Sequence, residues 1–208
     1  MMASPRLEID LHKLFHNAHT LVGRLGKVGI SVTGVTKATL GCAEIATTML
    51  EAGIKKLGDS RIENIEAMHL AQVPASMTLI RSPMLSQVQR VVEHADISFN
   101  TELEVIRKLS LEAQRAGRNH GVIFMVELGD LREGIMPDDL TDIVRETLSL
   151  PNIVFKGIGT NLACRSGVSP DGRNMAKLSE LADSIEETLG LPVEVVSGGN
   201  SANLQWAL

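Results

Sequence analysis

Tyrosine is absent from this chain, and aromatic residues make up only 2% of it. Any core must therefore be built from Val, Ile, Leu, Ala and Met, and no step that needs a tyrosine acid or base can be run by this chain alone. Cysteine is nearly absent too. Cys42 and Cys164 stand far apart, without Cys-x-x-Cys spacing, which excludes a disulfide framework and points to a reducing cytoplasm. There is no basic run and no arginine–aromatic stripe, and the net charge is -5, so nucleic acid is excluded as a partner. Apolar runs fall far short of a membrane span. The N-terminus, Met1-Met2-Ala3-Ser4-Pro5-Arg6, lacks the apolar stretch of a secretory signal. Gly-x-Gly-x-x-Gly is missing as well, which argues against a dinucleotide-binding open sheet.

What is present is alternation. Hydrophobic residues at 44% and charged residues at 22% over 208 residues describe one ordinary globular core. Asp10 is a good N-cap for a first helix carrying Leu11, Leu14, Phe15, Ala18, Leu21, Val22 and Leu25 at helical spacing, broken by Gly26 and Gly29. The β-branched run 30–37 then predicts a strand ending on Lys37. Strands follow over 56–58, 77–81, 95–100, 122–128, 153–157 and 193–196. Helices are predicted between them over 43–52, 61–71, 85–93, 102–116, 140–150 and 175–189, with another starting at Ala202. Such alternation means a parallel sheet with right-handed crossovers. It predicts the α/β class and a (β/α)8 TIM-type barrel of which seven strand–helix units are present. A complete barrel needs an eighth strand, so residues 1–208 read as one barrel domain of a longer protein.

In such a barrel, the loops after the strands carry the chemistry. Lys37 would stand at the end of strand one, where an amine can form a Schiff base with a carbonyl substrate or with pyridoxal phosphate. Val195-Val196-Ser197-Gly198-Gly199-Asn200-Ser201 leads from strand seven into a helix, a composition and a position suited to phosphate. Arg132 lies in the glycine-flanked loop after strand five, and Thr160 and Asn161 lie after strand six. Asp59 and Ser60 are read as caps of the third helix. His12, His16 and His19 share a stripe of helix one, but away from its apolar face. A solvated surface therefore outweighs a metal site, and no metal is assigned. Cys42 and Cys164, each just after a strand, leave open a thiol-pair racemase, although buried packing is the commoner role of such cysteines.

Several ordered stretches resemble the alanine racemase-like family, the fold type III pyridoxal phosphate enzymes, and within it the ornithine racemase branch. They are Pro5-Arg6-Leu7-Glu8-Ile9-Asp10, Gly34-Val35-Thr36-Lys37, Asp59-Ser60-Arg61-Ile62-Glu63-Asn64, Arg81-Ser82-Pro83-Met84-Leu85-Ser86, Leu128-Gly129-Asp130-Leu131-Arg132-Glu133-Gly134, Gly157-Ile158-Gly159-Thr160-Asn161-Leu162 and Ser197-Gly198-Gly199-Asn200-Ser201. The resemblance implies that Lys37 holds pyridoxal 5'-phosphate as an internal aldimine and serves as one of two acid/base groups. It implies that Ser197, Asn200 and Ser201 belong to the phosphate site. Arg132 would lie near the cofactor's phenolic oxygen or the substrate carboxylate. Asn161 takes the place of a histidine beside the pyridine ring of alanine racemases. Those enzymes also carry a tyrosine shortly after the lysine, absent here, and a modified lysine where this chain has Met125.

The expectation is a cytoplasmic amino-acid racemase acting on a small-molecule amino acid. It would be a homodimer at full length, with the eighth strand and a β-rich domain lying outside these residues. A chain of this size also fits a pyridoxal phosphate-binding protein without catalysis. A barrel aldolase using Lys37 directly is a further alternative.

Overall fold

A computed structural model describes residues 6–208; residues 1–5, read above for a targeting signal and as the start of the first family stretch, lie outside the described part. The chain forms two compact units, the first ending at Ser76 and the second beginning at Met77.

In the first unit, helix α1 (Leu11–Gly26) begins where the sequence predicts. The Asp10 carboxylate accepts from the N–H groups of His12 and Lys13 at 3.0 and 3.1 Å. Ala18 and Leu25 are buried, whereas His12, His16 and His19 stand in solvent, with His19 stacked on Phe15. Strand β1 (Thr33–Val35) pairs in parallel with β2 (Lys56–Asp59), Thr33 opposite Lys56 and Val35 opposite Gly58. Helices α2 (Ala43–Glu51) and α3 (Ile62–Leu70) follow their strands. Ile45, Ala46, Leu57, Ile62, Ile65 and Met68 form the core. At Gly34 a methyl group would sit 2.9 Å from the Met49 sulfur, so α2 packs directly on this strand.

Strand β1 is much shorter than the run 30–37. Val28 and Ile30 both donate backbone bonds to the Leu25 carbonyl, so this stretch completes the helix end rather than entering the sheet. At the other end, Lys37–Thr39 is a 3-10 turn. Lys37 therefore stands two residues beyond the strand it was expected to close.

Strand β3 (Ser76–Leu79) starts at the last residue of the first unit, and the second unit continues the alternation. Its elements are α4 (Val88–His94), β4 (Ile97–Asn100), α5 (Leu103–Arg115), β5 (His120–Met125), α6 (Leu140–Leu148), β6 (Ile153–Gly159), α7 (Gly172–Leu189), β7 (Val195–Ser197) and α8 (Leu204–Ala207). Strands β3 to β7 are hydrogen-bonded in chain order, every pair parallel. All six positions of β5 are buried, as befits a parallel strand covered on both faces. Phe124 stacks on Phe155 of the neighbouring strand. Gly157 has φ +146°, and a methyl group there would lie 1.9 Å from the Val195 carbonyl oxygen, so the β6–β7 pairing requires glycine. Helix α7 starts three residues before the predicted 175. Asp171 and Asn174 form a reciprocal capping box that adds a turn ahead of the apolar pattern.

Candidate active-site elements at the strand ends

Each unit gathers its candidate groups at the C-terminal ends of its own strands. In the first unit, the Thr36 N–H extends the ladder to the Gly58 carbonyl at 3.0 Å. The chain then leaves the sheet, and Lys37 opens the 3-10 turn with an exposed side chain. Thr36 itself is fully buried. Its hydroxyl donates to Asp59 Oδ2 at 2.7 Å, across 23 residues of sequence. Asp59 Oδ1 accepts from the Arg61 N–H at 2.9 Å and from Asn64 Nδ2 at 3.0 Å. Neither Asp59 nor Ser60 takes the capping role expected of it: Arg61 stands at the N-cap of α3, which has no side-chain cap bond, and Asp59 Oδ1 instead accepts from the N-cap residue's own N–H.

In the second unit, the loop after β5 folds back on its own strand. Glu127 N–H donates to Ile135 O and Ile135 N–H to Met125 O, at 2.9 and 2.8 Å. Gly134 sits so close beneath Glu127 that a methyl group would lie 2.5 Å from its backbone nitrogen. The Glu127 carboxylate accepts from the N–H groups of Gly129 and Leu131. Arg132 is exposed. It pairs with Glu133 and donates to the Cys164 sulfur at 3.0 Å. The Glu133 carboxylate beside it pushes its already high pKa further up, so it remains a fixed cation.

Asp130 was not singled out from the sequence. It is buried, and Oδ1 accepts the backbone N–H groups of Cys164, Arg165 and Ser166 at 3.0, 2.9 and 3.4 Å. Burial alone would push its carboxyl up. The three donors and the Arg132 guanidinium outweigh that effect and hold it below the ordinary carboxylate range. A carboxylate flanked by Gly129 with no cap position of its own was the available signal; its partners, more than 30 residues on, were not visible.

The same unit brings Asn161 and Asn200 together. Asn200 Nδ2 donates to Asn161 Oδ1 at 3.0 Å and to the Leu162 carbonyl at 2.8 Å, while its Oδ1 accepts from the Ala202 N–H. Asn200 is therefore a brace for the loop. The Ser197 carbonyl accepts from Thr160 N–H at 3.0 Å, which joins that loop to the end of β6. Gly199, at φ +100°, passes 2.9 Å from the Thr160 carbonyl, measured from where a methyl group would stand. Among the described residues, the N–H groups of Gly198 and Gly199 make no hydrogen bond, and Ser201 is exposed beside them. Free N–H donors, a hydroxyl and no carboxylate among residues 197–201 are a donor set that suits a phosphate. The exposed Lys37 amine suits an aldehyde. The residues present therefore fit pyridoxal phosphate chemically.

The family model described as alanine racemase, N-terminal domain, matches residues 9–208. An ornithine racemase of Acetoanaerobium sticklandii is 36% identical over 201 residues, 96% of this chain and 56% of that protein. A lysine racemase of Thermotoga maritima is 36% identical over 203 residues, 98% of this chain and 56% of that protein. The chain thus spans about half the length of the curated relatives it matches. Among solved structures, alanine racemase of Clostridium difficile 630 superposes with a TM-score of 0.80 at 16% identity, covering 92% of this chain and 52% of that one. PipY of Synechococcus elongatus PCC7942 gives a TM-score of 0.76 at 16% identity, covering 95% and 93%. These likenesses establish the barrel-type fold read from the strand–helix alternation.

Proposed function

The chain belongs to the alanine racemase family, and from that membership we propose that it is the cofactor-binding barrel of a pyridoxal 5'-phosphate-dependent amino-acid racemase. The observation that carries this reading is 36% identity to both an ornithine and a lysine racemase along essentially the whole chain. The same observation makes amino acids with a basic side chain the first substrates to test.

When bound, pyridoxal phosphate supplies an electron-poor ring that spreads negative charge from the substrate α-carbon. This chain's residues supply the rest. The Lys37 amine would take up or return the α-proton on one face. The N–H groups of Gly198 and Gly199 and the Ser201 hydroxyl would hold the phosphate, with Ser197, Asn161 and Asn200 shaping their loop. Arg132, kept charged by Glu133, suits the cofactor's phenolic oxygen or the substrate carboxylate. A group for the opposite face is not assigned here, and tyrosine is absent from these residues.

The test is chemical. Borohydride reduction of the protein mixed with pyridoxal phosphate should fix the cofactor on the Lys37 peptide, and Lys37→Ala should abolish that adduct. Incubation with L-ornithine, L-lysine and L-alanine, followed by chiral chromatography, should show the D-isomer of at least one. A second reading is cofactor binding without racemisation, for which Lys37 and the loop 197–201 would suffice. A Lys37 adduct with no isomerisation of any substrate would select it.

A further inference from the structure

We infer that Asp59 is a positioning residue for Lys37, acting through the Thr36 hydroxyl. The inference rests on the reading above that Lys37 bonds the cofactor, and it names what aims the amine.

Lys37 is exposed on a flexible stem, so its direction must be set by its backbone. The residue before it is held at every polar atom. Thr36 N–H donates to Gly58 O at 3.0 Å, and its carbonyl accepts from the Thr39 N–H and hydroxyl at 2.9 and 3.0 Å. Its hydroxyl donates to Asp59 Oδ2 at 2.7 Å. The far side of the turn is held by the same carboxylate. Asp59 Oδ1 binds Asn64 Nδ2, and Gly41, at φ +69°, closes so tightly on Asn64 that a methyl group would lie 2.6 Å from its carbonyl oxygen. Asp59 therefore grips the Lys37 turn before the lysine, through Thr36, and after it, through Asn64.

The choice of residue is informative. Asp59 is completely buried, and both its oxygens are engaged by neutral donors, the Thr36 hydroxyl, the Arg61 N–H and the Asn64 amide. For the two bonds at Oδ1 alone, from the Arg61 N–H and Asn64 Nδ2, an asparagine would serve. The additional demand is at Oδ2, which accepts from the Thr36 hydroxyl at 2.7 Å, a position an asparagine would fill with a donor nitrogen. Covalent capture of an aldehyde requires the Lys37 nitrogen to attack the carbonyl carbon. The C=N bond forms as the oxygen leaves as water. Misplacement of about 1 Å can cost a rate about a hundred-fold.

Thr36→Val removes the hydroxyl at nearly constant shape, and Thr36→Ser retains it. Two quantities separate aim from fold: the rate of borohydride-trapped pyridoxal phosphate on the Lys37 peptide, and the affinity for pyridoxine 5'-phosphate, which has no aldehyde. Thr36→Val should lower the capture rate about ten-fold or more, with affinity for the analogue within about two-fold, and Thr36→Ser should restore capture to within about three-fold. If Thr36→Val does not fold, the double variant Thr36→Val/Asp59→Asn, which keeps an oxygen for the Arg61 N–H and Asn64, should show the same split. An unchanged capture rate, or analogue affinity lost in proportion to capture, overturns the inference while leaving the functional reading intact. Absence of any Lys37 adduct in the unsubstituted protein overturns both.

Discussion

Arg132 donates to the Cys164 sulfur at 3.0 Å, and this contact ties the loop after β5 to the loop after β6. The two loops are joined a second time, because Asp130 of the first accepts backbone N–H groups from Cys164 to Ser166 of the second. A cation proposed to face the cofactor or substrate is thus steadied by a thiol, and the backbone that carries the thiol by a buried carboxylate.

Thiol chemistry should report this arrangement. Cys164 is exposed beside a guanidinium, whereas Cys42 is half-buried at the start of α2. A disulfide reagent such as DTNB should resolve one fast and one slow thiol, differing about ten-fold or more. Cys164→Ala should remove the fast phase and Cys42→Ala the slow one. Equal rates for the two would show that the guanidinium contact confers no reactivity.

Asp130 should matter for stability and for its pH dependence. Asp130→Ala removes the acceptor of three backbone donors and should cost about 2–3 kcal/mol in urea unfolding. Its carboxyl is held below the ordinary range, so the folded state releases the proton more readily than the unfolded state. The stabilisation is therefore complete above the unfolded pKa of about 4 and disappears as pH falls through the lower folded value. Unfolding midpoints for the unsubstituted protein and Asp130→Ala should converge as the acid limb is descended. A constant gap down to acid would refute the linkage.

The contrast between what was and was not legible follows from reach. Asp10 caps the helix it precedes, and residues 122–125 of β5 are a plain apolar run, so both are legible locally, although β5 starts two residues before and ends three before the predicted 122–128. The run 30–37 was read as one strand because its β-branched composition cannot reveal that Ile30 N–H is already committed to Leu25. The Thr36–Asp59 and Asp130–Cys164 bonds span 23 and 34 residues, and nothing within either segment announces its partner. The side chain of Asn200 braces Asn161 and Leu162, a role equally hidden in the local pattern.

His120 supplies a second pH handle, of similar direction but in a higher window. It is fully buried at the start of β5 with Nε2 2.8 Å from the Ser98 hydroxyl, and burial pushes its pKa down from 6.5 to about 4. The folded protein keeps the imidazole neutral, while the unfolded chain takes up a proton below about 6.5. Stability is therefore full above that pH and declines as pH falls toward 4, by about 2 kcal/mol between pH 7 and pH 5. His120→Gln should flatten the pH 5–7 part of the stability curve, whatever its effect at pH 7. An unchanged slope would assign the decline to other groups.

Two glycine substitutions should separate the phosphate loop from the sheet that carries it. In Gly157→Ala the methyl group meets the Val195 carbonyl oxygen at 1.9 Å, inside the β6–β7 pairing. The backbone cannot yield without parting the strands, so this variant should lose several kcal/mol, about 3 or more, or fail to fold. In Gly199→Ala the backbone is also left-handed, at φ +100°, but the obstacle is the Thr160 carbonyl at 2.9 Å, in a loop with an exposed outer side. That loop can shift outward at a cost of about 1–3 kcal/mol. The shift moves the N–H groups of Gly198 and Gly199 from the positions proposed to hold the phosphate. Gly199→Ala should therefore remain folded by circular dichroism and lose about ten-fold or more in affinity for pyridoxine 5'-phosphate, because two charge-assisted N–H bonds weaken together. Retained affinity in a folded Gly199→Ala protein would mean that the phosphate is held elsewhere, and the assignment of residues 197–201 would have to be abandoned.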